Sequence, residues 1–230
     1  MILGIFSDAH GNAGGFCCAR DLMYSNGAKQ LYYLGDAVGY VPLPDVVREL
    51  RATPEILPLR GNHEKMLLAD NGADTEKAKV YRYDMLRSRL TTDDLNFLAS
   101  LASLRRVEID GKRLLFVHGS PSEPTTGYVY PDSSLKDFAN VDADVIFMGH
   151  THHPFVRREY GRLFVNVGSC GLPRDTDPRG CAALFDTSSN EVTMLRYSLA
   201  ASSEVLLKTV EVAAPVARLL QSYVSCEESS

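Results

Sequence analysis

Apolar residues fill positions 2–6 (ILGIF) and give way at once to the polar stretch Ser7-Asp8-Ala9-His10-Gly11. A short apolar run bounded by turn-forming residues reads as a buried strand. Helical spacing follows over 13–25, and a second apolar run within GAKQLYYLGD ends at Gly35-Asp36. Another helical segment, near Pro44–Arg51, leads to a third run, EILPLRGNHE, which ends at Gly61-Asn62-His63-Glu64. Strands alternating with helices predict βαβ units and a parallel sheet. Ligands of such sheets gather just outside the carboxyl ends of the strands.

Residues 64–104 are expected to be mostly helical, with a helix capped at Thr91-Thr92. The period then changes. RRVEIDGKRLLFVHGS predicts a hairpin about Asp110-Gly111, a favoured two-residue turn, whose second strand ends at His118. ADVIFMGH predicts a strand ending at His150. FVRREYGRLFVNVG, CAALFD and EVTMLRYS are expected to continue as antiparallel strands, with turns at Tyr160-Gly161 and Ser188–Asn190. The tail from Ser202 to Ser230 predicts one amphipathic helix and an unstructured acidic end. There is no repeat, low-complexity tract or linker. The expectation is one α/β domain with two sheets, its body over residues 1–200 and its C-terminal helix and flexible tail over 201–230.

Composition changes this picture little. The 230 residues are 45% hydrophobic and 23% charged, an ordinary globular balance. A formal charge of −5 offers no general attraction for nucleic acid, so a phosphate-handling site would have to bring its own positive charge. The five cysteines, Cys17, Cys18, Cys170, Cys181 and Cys226, lack zinc-finger spacing and read as free thiols in a reducing cytosol. No stretch approaches the roughly 20 apolar residues of a membrane helix. The start MILGIF has no basic leader. A soluble, cytoplasmic protein is expected.

Histidine placement changes the picture a great deal. Five predicted strand ends carry Asp8/His10, Asp36, Asn62/His63, His118 and His150/His152, which together hold five of the six histidines. Each motif alone is an ordinary turn or cap. Their recurrence at successive strand ends is not what turns require, and it points to metal ligation. Imidazole and carboxylate suit zinc, iron and manganese, and the lack of a thiolate cluster argues against a structural zinc site. A carboxylate can bridge two ions, and Asp36 is the central candidate. Two divalent ions offset by Asp8, Asp36 and a hydroxide leave roughly one net positive charge, an anion trap inside an acidic protein.

Asp8-x-His10, Gly35-Asp36, Gly61-Asn62-His63-Glu64, His118 and Gly149-His150-Thr151-His152 together resemble the signature of the calcineurin-like metallophosphoesterases. GDAVGY, VHGSP and GSCGLPRDTDPR are similar to a bacterial and archaeal predicted-phosphoesterase branch related to the YfcE-type phosphodiesterases. The resemblance covers residues 1 to about 186. It implies a two-sheet, four-layer α/β sandwich with helices outside. It also implies a dinuclear enzyme that hydrolyses a small phosphate ester by attack of a metal-bound hydroxide. On the family pattern Asp8, His10, Asp36 and His152 hold one ion, and Asp36, Asn62, His118 and His150 the other. His63 is not a ligand but stabilises or protonates the leaving oxygen. Manganese is the first choice of metal, with iron, zinc, nickel and magnesium as alternatives.

There are departures. Serine/threonine protein phosphatases, which share a form close to LRGNHE, carry an arginine soon after Gly-Asp, whereas GDAVGYVP has none. A phosphodiester substrate is therefore favoured over a phosphomonoester. A non-catalytic scaffold, as in the retromer subunit of this fold, is disfavoured by the retention of His63 and every ligand. Arg174 and Tyr128 are candidate substrate-binding residues, with Tyr130 beside them. The competing readings pair Arg174 with Asp175 or Asp177 and leave the loop tyrosines as packing. Arg60 reads as a strand-end structural residue and His153 as a solvent-facing neighbour.

Overall fold

A computed structural model describes residues 1–69 and 76–227. β1 (Ile2–Phe6), β2 (Gln30–Tyr33) and β3 (Ile56–Pro58) run parallel, connected by α1 (Ala13–Ser25) and α2 (Asp45–Ala52). β9 (Gly180–Asp186) joins β1 antiparallel on its other side, and β10 (Glu191–Tyr197) joins β9, giving the order β10-β9-β1-β2-β3. The second sheet has the order β4-β5-β6-β8-β7, formed by Leu104–Ile109, Lys112–Val117, Val145–Met148, Arg162–Asn166 and Phe155–Glu159 respectively. The fold is thus an α/β sandwich of two mixed five-stranded sheets.

The two sheets share one core. Leu3 and Ile5 of β1 point into it with Phe116, Phe147 and Val165, while Phe6 packs on the other face against Phe16, Ala19 and Met23. With both faces covered, β1 has no polar face to alternate with, hence its unbroken apolar run. Tyr32, Phe116 and Phe147 stack across the core at 4.0 and 5.0 Å, with interplanar angles of 9° and 13°. On the outer face of the second sheet, Leu115, Val117, Ile146 and Met148 pack against Val129, Leu135 and Ala143. That layer is irregular, with one 3₁₀ turn at Lys136–Phe138.

α3 (Asn62–Leu68), α4 (Glu76–Tyr81), α5 (Tyr83–Arg87) and α6 (Thr92–Ser100) occupy the predicted helical stretch, of which 70–75 lies outside the described residues. Thr91 Oγ1 accepts from Asp94 N at 3.2 Å, and the Asp94 carboxylate accepts from Thr91 N at 3.0 Å, a reciprocal cap. The hairpin turns at Asp110-Gly111 as expected, with Ile109 opposite Lys112.

Two expectations are corrected. The strands after His150 form the two expected antiparallel hairpins, β7–β8 about Tyr160-Gly161 and β9–β10 about Ser188–Asn190, but not one continuing antiparallel sheet: β8 lies parallel to β6, β7 is displaced to the sheet edge, and β9 crosses to the other sheet. Burial explains the order, because Leu163–Asn166 is wholly buried in β8 whereas β7 alternates Arg157 and Glu159 with exposed positions. Charged positions are tolerated on an edge strand and not between two others. The tail forms two helices rather than one, α7 (Ala200–Thr209) and α8 (Ala214–Glu227), with Pro215 in the first turn of the second. Leu206, Val216, Leu220 and Tyr223 pack with Val41 and Leu172. The predicted unstructured end falls at 228–230, outside the described residues. Among the described residues no helix is long and apolar enough to cross a membrane.

Candidate functional site

The strand-end loops converge where β1, β2, β3, β5 and β6 terminate. Asp8, His10, Asp36, Tyr40, His150 and His152 all have positive φ, between 50° and 69°. A non-glycine residue in that region costs about 1 kcal/mol or more, and such residues cluster where function demands the geometry. Cross-loop bonds hold the conformation: Asp8 N donates to Gly35 O, His10 N to Asp36 O, Gly149 N to His118 O and Cys170 N to Ser7 O, at 2.8–3.0 Å. Beneath them lies Glu64, fully buried. Its carboxylate accepts from the N–H groups of Asp36, Ala37, Val38 and Gly61 at 2.7–3.3 Å. Burial pushes the Glu64 carboxyl up to about 7, helped by the Asp36 charge and opposed by those N–H groups.

Backbone carbonyls set the tautomers. His10 Nδ1 faces Val38 O at 3.0 Å, His118 Nδ1 faces Leu34 O at 3.1 Å, and His152 Nδ1 faces Leu172 O. A carbonyl only accepts, so each Nδ1 carries the hydrogen and each Nε2 presents a lone pair. Those lone pairs converge. His10 Nε2 and His152 Nε2 lie 3.0 Å apart, with Asp8 Oδ1 3.2 Å from the latter. His118 Nε2 lies 2.9 Å from Asn62 Oδ1, 3.1 Å from His150 Nδ1 and 3.3 Å from Asp36 Oδ2. Asp8 Oδ1 and His150 Nε2 are buried without a hydrogen-bond partner among the described residues. Lone pairs packed this way repel unless a cation lies among them, so the donor set fits divalent metal. Among the described residues three groupings could hold an ion: Asp8–His10–His152, Asp36–His118–His150, and His10–Asp36–His63.

Electrostatics agree. Burial alone would raise Asp8 and Asp36, but neighbouring imidazoles, His152 and His118 for Asp8 and His118 and His63 for Asp36, hold both well below the usual carboxylate range. Burial opposes protonation of His118 as well, and the charges of Asp36 and Asp8 overcome it, raising His118 to about 9. The negative charge that raises His118 is the charge that would favour a cation there. Burial dominates at His150 and His152, both held down to about 4, and at His63, held to about 3.

The rim places the remaining candidates. Asp175 pairs with Arg196 at 2.5 Å, and Asp177 pairs with Arg179 at 2.8 Å. Arg174 pairs with neither. Its exposed guanidinium lies over the Tyr40 ring, 5.1 Å from the centroid. Tyr128 is 62% exposed, its ring 4.2 Å from His150 and parallel to Tyr130. Arg60 is turned away, donating to Ala99 O. His153 is half-buried with Nδ1 against Thr151 O at 2.7 Å, outside the cluster. Sequence reasoning missed Tyr40, Tyr81 and Tyr83, whose rings surround His63, and the anchoring role of Glu64. No motif marks the tyrosines. Glu64 could have been suspected as an acid at the third position of a helix whose N-terminus meets a strand end.

Gly39 admits His63. Its φ is +91°, and a Cβ there would overlap Nδ1 of His63 and lie 2.9 Å from Cε1. Gly39→Ala is therefore expected to lower turnover by about 10²-fold through displacement of His63, and to reduce stability by about 1 kcal/mol through backbone strain. Steady-state kinetics beside a denaturant titration check both, and unchanged turnover would show that His63 does not need this position.

Fold and donor set together define a metal-dependent phosphoesterase, and comparison with known proteins agrees. Residues 1–190 match the calcineurin-like phosphoesterase superfamily domain, and the chain belongs to that family. It is 30% identical over 207 residues, 85% of this chain and 92% of the relative, to a probable metallophosphoesterase of Methanothermobacter thermautotrophicus. The crystal structure of a metallophosphoesterase from Sphaerobacter thermophilus superposes with a TM-score of 0.79 at 28% identity, covering 97% of this chain and all of that one. The phosphoesterase Yfce of E. coli shares the fold, with a TM-score of 0.50 at 21% identity over 85% of this chain and 98% of its own. The protein is a metallophosphoesterase, a phosphoric ester hydrolase.

Proposed function

We propose that the protein is a dinuclear phosphodiesterase acting on a small phosphate ester, with manganese as its working metal. The observation that carries this reading is the convergence of carbonyl-anchored imidazole lone pairs with Asp8, Asp36 and Asn62. Asp8, His10, Asp36 and His152 would hold one ion, and Asp36, Asn62, His118 and His150 the other. Such a pair supplies an acidified water and positive charge for the phosphoryl oxygens. His63 belongs to neither set; its Nε2, 4.0 Å from Asp36 Oδ2, faces the leaving oxygen and stabilises or protonates it. Tyr128 offers an exposed ring to the organic part of the ester, and Arg174 a guanidinium to a phosphoryl oxygen. Residues 1–200 and the tail act as one domain, a reading supported by Tyr223 Oη, which donates to Pro173 O at 2.7 Å beside the site loop.

Charge decides between esters. A monoester brings nearly two negative charges and a diester one, against roughly one net positive charge at the centre. The position after Asp36 where an arginine would add charge is held by Gly39-Tyr40-Val41, and Arg60 is turned to Ala99. An activated aryl diester is expected to be hydrolysed with higher kcat/KM than its monoester, with manganese at about pH 8, where free imidazole is neutral. The guanidinium of Arg174, which no carboxylate among the described residues pairs, favours the rival monoesterase reading. Monoester preference that collapses in Arg174→Ala would establish that rival, and a saturating reconstitution that yields one ion per chain would remove the dinuclear reading.

A further inference from the structure

The two ring nitrogens of His63 face different surroundings. Nε2 faces the cluster, while Nδ1 lies 2.8 Å from the hydroxyl of Tyr83. Tyr83 reaches it through a break in the chain. α4 ends at Tyr81, Arg82 adopts a left-handed conformation (φ 55°, ψ 36°), and α5 begins at Tyr83. In a continuous helix, side chains two positions apart diverge by about 200°. The left-handed residue instead turns both rings onto His63, with centroids 4.6 Å away for Tyr81 and 5.9 Å for Tyr83. Tyr40 closes a third side at 4.9 Å. The imidazole is 4% exposed, and among the described residues the Tyr83 hydroxyl is the hydrogen-bonding partner of Nδ1.

The direction of that bond follows from the hydroxyl. Burial, then the charges of Asp36 and Glu64, push the Tyr83 phenol far above its usual range, so it keeps its hydrogen. If the oxygen accepted from Nδ1–H, that hydrogen would have no partner among the described residues. Donation satisfies it, leaving the lone pair on Nδ1 and the ring hydrogen on Nε2. A protonated Nε2 has no lone pair for a cation, which removes His63 from the ligand set despite its proximity to His10 and Asp36.

We propose that Tyr83 is a positioning residue for ester hydrolysis: its hydroxyl donates to Nδ1 of His63 and fixes the tautomer whose Nε2–H faces the leaving oxygen. The proposal rests on the phosphoesterase reading above. As a water oxygen bonds to phosphorus and gives up its proton to solvent, the ester P–O bond breaks and its electron pair passes to the leaving oxygen. Nε2–H stabilises that charge by a hydrogen bond, no proton leaves His63, and the departing alkoxide takes its proton from solvent. Without Tyr83 the ring populates both tautomers, and one of them turns a lone pair toward the developing charge.

Tyr83→Phe removes the hydroxyl and keeps the ring. With an alkyl ester, whose leaving oxygen carries nearly a full charge, kcat is expected to fall about tenfold with KM unchanged. With a 4-nitrophenyl ester, whose charge is delocalised, the loss stays within about twofold. In a His63→Ala background Tyr83→Phe has no further effect. Equal losses on both esters, or additive losses in the double variant, would overturn the proposal. Independently, ¹⁵N NMR of the metal-free protein, with the His63 signals assigned by their loss in His63→Ala, should show protonated Nε2 and bare Nδ1, with mixed tautomers in Tyr83→Phe. Protonated Nδ1 in the unsubstituted protein overturns the proposal whatever the kinetics. A protein that hydrolyses no phosphate ester would defeat the phosphoesterase reading, while the tautomer measurement would still decide the role of Tyr83.

Discussion

In manganese-reconstituted protein, Asp36→Ala is expected to abolish measurable turnover and to leave no more than one ion per chain. His63→Ala is expected to keep both ions and lose about 10²–10⁴-fold in kcat, the range for a group that stabilises or protonates a leaving oxygen. The contrast follows from position. Asp36 Oδ2 stands between the two clusters, 3.8 Å from His10 Nε2 and 3.3 Å from His118 Nε2. Its carboxylate is the only acid in the group with His118 and His150. Removing it leaves two neutral imidazoles and an amide oxygen, which offset none of a divalent charge. The same carboxylate accepts the His63 backbone N–H at 2.9 Å, so its loss also loosens the start of α3. The His63 side chain touches tyrosines on its other sides and meets the His10 ring edge to face at 4.8 Å, while the Nδ1 of His10 stays anchored on Val38 O, so truncating His63 leaves the ligand orientation in place. Elemental analysis beside steady-state kinetics separates the two variants. Loss of metal from His63→Ala would place His63 in the ligand set.

Glu64→Ala is expected to destabilise the protein by about 3–5 kcal/mol, although Glu64 touches neither substrate nor metal in the proposed arrangement. One carboxylate accepts N–H groups from the loop after β2 and the loop after β3. Truncation leaves these donors buried without an acceptor, at about 1–3 kcal/mol for each one that water does not reach. For a chain of this length each kcal/mol lowers Tm by about 2–4 °C, so a shift of roughly 10 °C is expected in thermal unfolding of the metal-free protein. Glu64→Gln retains one acceptor oxygen but turns an NH2 toward N–H donors, and should fall between. A shift within 1–2 °C for Glu64→Ala, about what an uncoupled surface change gives, would mean that the loops find other acceptors.

Much of the fold was legible because its signals are local. The unbroken apolar run of β1 and the Asp110-Gly111 turn depend on residues adjacent in the chain, and the structure places them as expected. The insertion of β8 between β6 and β7 was not legible, because the hairpin sequence is compatible with either strand lying inward. What decides is that β8 buries Leu163, Phe164 and Val165 while β7 carries Arg157, Arg158 and Glu159, a comparison that requires a sheet to compare within. α8 was missed for a similar reason: its stripe of Val216, Leu220 and Tyr223 finds its partner in Val41 and Leu172, far back in the chain. The competing reading of Arg174, its pairing with Asp175 or Asp177, rested on proximity alone. Asp175 and Asp177 are close in sequence, yet Asp175 turns to Arg196 on β10 and Asp177 to Arg179 and Arg196.

The chemistry divides along the same line. By itself the sequence determined the donor types and their placement at strand ends, since a strand's end is marked by the residues where its apolar run stops. It also determined the absence of an arginine soon after Asp36. Only the tertiary structure decided which atom of each side chain faces the cluster. His10, His118 and His152 are oriented by carbonyls 28, 84 and 20 positions away, and His63 by a hydroxyl 20 positions away across a left-handed break. An imidazole has two nitrogens of nearly equal basicity, so its tautomer is set by whichever partner packing brings to one of them, and no local pattern records that partner.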